Sequence, residues 1–140
     1  PEYRENELCY EDYRALRTLA GWETYSEEQT RRALAAALYD VTAVEDGRAV
    51  ARGFGGDGLY DVIADVVVAP EYQGRGIGKA VAEKLLAYAQ SRLPPGGRTS
   101  VQLIAAEGKE GFYEKLGFRK MPGGGCGFAL RRVLHGHPAE

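Results

Sequence analysis

Three glycines at alternate positions in Val66-Val67-Val68-Ala69-Pro70-Glu71-Tyr72-Gln73-Gly74-Arg75-Gly76-Ile77-Gly78-Lys79 join an apolar run to the start of an amphipathic stretch. Residues without a Cβ let the backbone approach a ligand closely, and the first turn of a helix points unpaired N–H groups outward. The junction is therefore suited to an anion, a phosphate or pyrophosphate above all. Just upstream, Asp61 and Asp65 alternate with apolar residues in the run 59–69, so as an unbroken strand it would carry both carboxylates on one face. Such carboxylates either face water or serve an amine. An alkylammonium, with an ordinary pKa of about 10.4, has to lose a proton before its nitrogen can attack.

Two familiar phosphate loops fail on spacing. A dinucleotide fingerprint needs a third glycine where Lys79 stands, and a P-loop needs glycine at Gln73 and Ser or Thr at Ala80. What remains, Gln73-x-x-Gly76-x-Gly78 after a strand ending in Val68-x-Pro70, resembles the acetyl-CoA loop of the GNAT superfamily of N-acetyltransferases. A second segment in the expected order, Gly111-Phe112-Tyr113-Glu114-Lys115-Leu116-Gly117-Phe118, resembles that superfamily's Phe-Tyr-x-x-x-Gly-Phe motif. With the strands around them the two motifs cover roughly positions 59 to 133, whereas the first fifty or so residues match only in the order of their elements.

The resemblance implies an α/β fold, a mixed, mostly antiparallel sheet of about seven strands with about four helices on both faces. It implies one domain over 1–134, with 135–140 a polar tail. It implies acetyl-CoA as co-substrate, Val66, Val67 and Val68 pairing with its pantetheine as another strand would, and Gln73, Gly74, Arg75, Gly76, Ile77, Gly78 and Lys79 around the pyrophosphate. A backbone N–H near Val67 or Val68 would hold the thioester oxygen. Tyr113 takes the role of general acid toward the leaving thiolate, since a phenol stays protonated at neutral pH. Phe112, Leu116 and Phe118 support it, and Gly117 caps its helix. Asp65 orients the amine or relays its proton, with Glu107 and Glu110 as competitors. Trp22, Tyr25 and Cys126 would border the acceptor pocket, against the plainer readings of core aromatics and loop filler. Many relatives carry asparagine seven residues before the tyrosine; here Ala106 stands there, so that contact is missing or replaced. The expected reaction is direct transfer of an acetyl group to a small primary amine, for neither motif contains a cysteine. A protein N-terminal or lysine acetyltransferase and a non-catalytic acyl-CoA-binding module are the alternatives.

Periodicity supplies the elements that must position these residues. A short strand over Tyr3 to Leu8 leads to a helix with Tyr13, Leu16 and Ala20 on one face, stopped by Gly21. Ser26 and Gln29 have capping-box spacing before a helix with Leu34 and Leu38 one turn apart. Strands near 39–45 and 48–54 meet at Asp46-Gly47, a hairpin signal, and Gly55-Gly56-Asp57-Gly58 turns into the long strand 59–69. Ile77, Val81, Leu85 and Ala89 mark a helix ending before Pro94-Pro95. A strand from Thr99 to Ala105, a short helix around 109–116 and strands near 117–121 and 126–133 complete the series.

Length and charge narrow the class. A chain of 140 residues suits one domain, and its net charge of −2, with no basic stripe, gives no reason to expect nucleic acid. The 19 glycines sit at joints rather than in a repeat. Cys9 and Cys126 lack metal or disulfide spacing and read as free thiols of a reducing, cytoplasmic setting. His135 and His137 read as tail residues, not as metal ligands. No apolar run reaches the roughly 18 residues of a membrane span. Because the chain starts at Pro1, a trimmed leader stays open, and a homodimer is compatible with the resemblance.

Overall fold

The computed structural model describes residues 1–37, 39–55 and 60–138. Leu38, Gly56-Asp57-Gly58 of the expected turn, Leu59, Ala139 and Glu140 lie outside them. Two compact units are present, Pro1–Leu103 and Ile104–Glu140.

In the first unit β1 (Glu2–Glu5), β2 (Tyr39–Glu45), β3 (Arg48–Gly55) and β5 (Ala64–Val68) form an antiparallel sheet in that spatial order, while β4 (Tyr60–Val62) pairs in parallel with β6 (Ser100–Gln102). Pairing that is mostly antiparallel is as expected, although the parallel pair stands as a second sheet rather than in one mixed sheet. The hairpin between β2 and β3 turns on Asp46 and Gly47, both at positive φ, 52° and 74°, the geometry a tight hairpin with right-handed twist requires. Alternation then divides the sheet. Val41, Ala43 and Ala51 are fully buried, and an added Cβ at Gly53 would lie 2.9 Å from Leu85 Cδ1 and from Val66 Cγ2, so this face seats α3 (Ile77–Ser91). The opposite face carries Asp40, Thr42 and Arg52, all buried, and receives α1 (Tyr10–Leu19) through Tyr13 and Leu16. Helices therefore cover both faces. Next to α1, α2 (Glu27–Ala36) starts at Ser26, whose hydroxyl accepts from the Gln29 N–H at 3.2 Å as the capping spacing predicts.

The long strand 59–69 is broken. Its pairing with β3 runs Arg52↔Val67 and then Phe54↔Ala64, so three steps along one strand answer two along the other, and Asp65 takes up the extra residue at φ 52°. Ahead of this bulge the chain leaves β3, and the Ile63 N–H bonds Gln102 O at 2.9 Å. The change of partner leaves β5 at the edge of its sheet.

In the second unit α4 (Glu110–Glu114) is the one helix among the described residues. The expected strands near 117–121 and 126–133 are absent there; with the long strand 59–69 present as two pieces, β4 and β5, six strands stand among the described residues against about seven expected. A strand exists by its pairing, and the single bridge recorded in this region is Gly123↔Cys126. Phe128, Leu130, Val133 and Leu134 accordingly stand exposed.

Candidate active site

The backbone at the end of β5 supplies the first part of the site. The Ala69 N–H bonds Val50 O at 2.7 Å, so in this register Val67 spends its backbone groups on β3 and Val68 turns its own away from it. Gln73 Nε2 donates to Val68 O at 3.1 Å, which ties the loop to the strand end and leaves the Val68 N–H. Of the N–H groups of Val67 and Val68, the register turns only the second away from β3.

From Val68 the chain makes one 3-10 turn, Pro70–Tyr72, whose buried Tyr72 takes the Arg75 guanidinium over its ring at 5.0 Å, and then enters the glycine loop. Gly74 and Gly76 both sit at φ 77°, Gly76 as the residue preceding α3. Their conformations alone favour glycine. Gly78 differs: it is the second residue of α3, where glycine costs about 1 kcal/mol against alanine. Without a side chain it leaves the backbone at the helix start open to close approach. Ile77 is buried and anchors the helix start, while Lys79 is exposed and lies 3.9 Å from Glu83.

Asp65 is the centre of the second part. Its Oδ2 accepts from Tyr13 Oη at 2.8 Å and meets Arg17 Nη1 at 3.1 Å and Arg52 Nη1 at 3.4 Å, whereas Oδ1 takes none of these contacts and the side chain keeps 28% exposure. The two arginine side chains are 8% and 1% exposed. Burial pulls the Arg52 guanidinium below its ordinary pKa, opposed by Asp65 and Asp40. Burial also pushes the Tyr13 phenol up to about 12, with the Asp65 charge adding to it, so this hydroxyl is a donor at all ordinary pH. Asp61 does not share Asp65's surroundings, contrary to the reading of one continuous strand: it lies before the bulge, buried, accepting from Thr99 Oγ1 at 2.6 Å.

Trp22 and Tyr25 are drawn to the same place by the end of α1. The Gly21 N–H bonds Thr18 O at 3.1 Å and the Trp22 N–H bonds Arg17 O at 2.9 Å, with Gly21 at φ 74°. This pair of bonds is a Schellman turn, which folds the residue after the glycine back over the last helical turn. The Trp22 ring thereby covers the Arg17 guanidinium at 5.1 Å, the Tyr25 ring lies 5.1 Å from it, and Arg17 Nε donates to Glu23 O at 2.8 Å.

In the second unit Tyr113 is held by the same device. The Gly117 N–H bonds Glu114 O at 3.1 Å and the Phe118 N–H bonds Tyr113 O at 3.2 Å, with Gly117 at φ 93°. Phe118 and Phe112 then pack edge-on against the Tyr113 ring, at 5.9 and 4.9 Å. Burial raises the Tyr113 phenol above its ordinary value, which keeps the proton on it. Cys126 is exposed, beside the Gly123 bridge, and Ala106, Glu107 and Glu110 are exposed as well. No cluster that could hold a metal occurs among the described residues, and no helix there is long and apolar enough to cross a membrane.

The structure thus joins Asp65, Trp22 and Tyr25, and joins the end of β5 to the loop. Sequence reading missed the residues that do the joining, Tyr13, Arg17 and Arg52. The profile of the acetyltransferase (GNAT) domain matches residues 21–120. The chain belongs to the GNAT acetyltransferase family. It is 37% identical over 118 residues to serotonin N-acetyltransferase 2, chloroplastic, of Oryza sativa subsp. japonica, a match covering 80% of this chain and 57% of that protein. Over 57 residues it is 46% identical to glucosamine 6-phosphate N-acetyltransferase of Trypanosoma brucei brucei, covering 41% of this chain and 36% of that one. The chain therefore spans little more than half of the rice protein and less of the trypanosome one. A probable acetyltransferase of methicillin-resistant Staphylococcus aureus superposes with a TM-score of 0.80 at 28% identity, over 94% of this GNAT chain and 98% of that structure.

Proposed function

We propose that this chain is an acetyl-CoA-dependent N-acetyltransferase that acetylates the primary amine of a small molecule by direct attack. One observation carries the reading: an open strand edge whose Val68 N–H is turned away from β3 runs into a glycine-lined helix start, with a part-exposed carboxylate on the same strand whose three contacts all fall on one oxygen. The residues fit the co-substrate, because the helical Gly78 is otherwise an unfavourable choice.

When bound, acetyl-CoA supplies a thioester whose carbonyl carbon an amine can attack. The Val68 N–H then receives the carbonyl oxygen as it takes up negative charge. Asp65 Oδ1 receives the ammonium and steadies the nitrogen while one of its protons leaves to water. As the new C–N bond forms and the C–S bond breaks, the sulfur needs a proton, and Tyr113 would give it in the general-acid role that the resemblance of its segment to the family motif implies. The proton that the nitrogen sheds on collapse restores the phenol, so each turnover releases one proton from the ammonium. The relatives named for serotonin and for glucosamine 6-phosphate act, by their names, on small amines, which favours this acceptor class over a peptide.

The test is thiol release from acetyl-CoA across a panel of small amines and amine-bearing peptides, with Tyr113→Phe beside the parent. Turnover of small amines is expected, with kcat of Tyr113→Phe lower by roughly 10²- to 10⁴-fold at unchanged acetyl-CoA affinity. Turnover of peptides alone would make the protein a protein acetyltransferase. Acetyl-CoA binding without turnover would make it a binding module.

A further inference from the structure

Arg17 is not an ordinary core arginine. A guanidinium offers five N–H groups in one plane and two flat faces. Here one edge holds the loop through Glu23 O, the other holds Asp65 Oδ2, and its aromatic neighbours are Tyr13, at 5.7 Å, Trp22 and Tyr25. The plate is fixed from behind by the turn at Gly21. Tyr25, with Arg17 against it, still leaves 52% of its surface exposed, and Asp65 still offers Oδ1. A half-exposed aromatic ring and a part-exposed carboxylate are thus set one guanidinium apart.

We infer that Arg17 is the positioning residue that sets acceptor specificity, and that the acceptor it selects is an amine carrying a flat apolar body on a short chain. This deepens the acetyltransferase reading above and rests on it. The ammonium binds Asp65 Oδ1 and the flat body lies on Tyr25. A second ammonium on the acceptor is disfavoured, because the groups around Asp65 are two guanidiniums and a neutral phenol.

The experiment uses the full chain at saturating acetyl-CoA, with 2-phenylethylamine, n-hexylamine and 1,6-diaminohexane as acceptors. The parent should prefer the aromatic amine to hexylamine in kcat/KM by roughly 2- to 10-fold, the range of one aromatic contact, and should use the diamine least. In Arg17→Gln the preference should fall to near unity and the KM of every amine should rise about tenfold, with the KM for acetyl-CoA unmoved. Arg17→Lys keeps a cation for Asp65 but loses the plate, so it should recover the hexylamine KM and not the aromatic preference. Tyr25→Ala, a change at a half-exposed side chain, should abolish the preference without touching the buried pair, and it serves where Arg17→Gln does not fold. An unmoved preference in folded Arg17→Gln or in Tyr25→Ala would overturn the assignment. Absence of thiol release by the parent with every amine would instead overturn the acetyltransferase reading itself, before any variant is compared.

Discussion

Asp65→Asn keeps the shape of the side chain and removes its charge, and the geometry says what that charge does in the folded protein. Three donors converge on Oδ2, two of them guanidiniums whose side chains are 1% and 8% exposed. Removing one partner of a buried ion pair costs about 3–5 kcal/mol, because the other charge stays buried without compensation. Two features reduce that figure. Asp65 is itself 28% exposed, so water screens part of the interaction, and the amide oxygen can still accept from Tyr13, keeping roughly 1 kcal/mol of hydrogen bonding. Asp40, buried on the same sheet face, remains as a counter-charge to Arg52, although its own burial pushes its carboxyl pKa up. About 2–3 kcal/mol should be lost, a fall of roughly 6–12 °C in Tm for a chain of this length. Urea unfolding at pH 7 measures it, with the slope m checked for constancy and the series repeated in 0.05 and about 0.5 M salt, where a buried pair changes little. The amine KM should rise in the same variant. A midpoint equal to the parent's at equal m would refute the view of Asp65 as counter-ion to the two arginines and return it to the role of a strand-end carboxylate facing water.

Gly53→Ala places a methyl 2.9 Å from Leu85 Cδ1 and Val66 Cγ2 and 3.1 Å from Val81 Cγ1, and should cost about 1–2 kcal/mol by thermal unfolding; an unchanged Tm would mean that α3 has slack on the sheet. Gly78→Val should weaken CoA binding by tenfold or more in calorimetry without lowering the unfolding midpoint, since valine is the better helix residue; unaltered affinity would sink the loop assignment. The Tyr13 phenol is at about 12 in the fold against 10.0 for the free side chain, so its stabilisation is complete below about pH 10 and is lost as the pH climbs toward 12, where the unfolded chain ionises first. Tyr13→Phe should therefore lose less stability than the parent between pH 10 and 11.5, and parallel curves would show that this hydroxyl carries no such linkage.

Local chemistry made much of this fold readable. Gly21, Ser26, Asp46-Gly47 and the alternate glycines each act within a few residues, and each stands where expected. The bulge at Asp65 had no local sign. A non-glycine residue at positive φ is held there by partners distant in sequence, so the alternation of Asp61 and Asp65 suggested a shared face that the strand does not keep. Arg17 in the last turn of a helix reads as a complement to the helix dipole, and Arg52 inside a hairpin strand reads as an outward charge. Both reach Asp65, which no spacing rule connects to them. The strands near 117–121 and 126–133 fail for a related reason, as alternation proposes a strand but only a neighbouring edge makes one. One signal for Arg17 was nevertheless present: Arg17-Thr18-Leu19-Ala20-Gly21-Trp22 has the spacing of Tyr113-Glu114-Lys115-Leu116-Gly117-Phe118.

That shared spacing separates two things that enzymes of one family have to vary independently. In each case six consecutive residues contain the side chain to be aimed, the glycine that turns the backbone and the ring that clamps it, so the aim is settled before any distant segment contributes. Residues beyond Trp22 or beyond Phe118 can then lengthen, shorten or change character without turning the group behind them. The loops can drift while Tyr113 and Arg17, the carboxylate's anchor, hold their direction, and a graft of either six-residue segment onto another helix end should carry its aim with it.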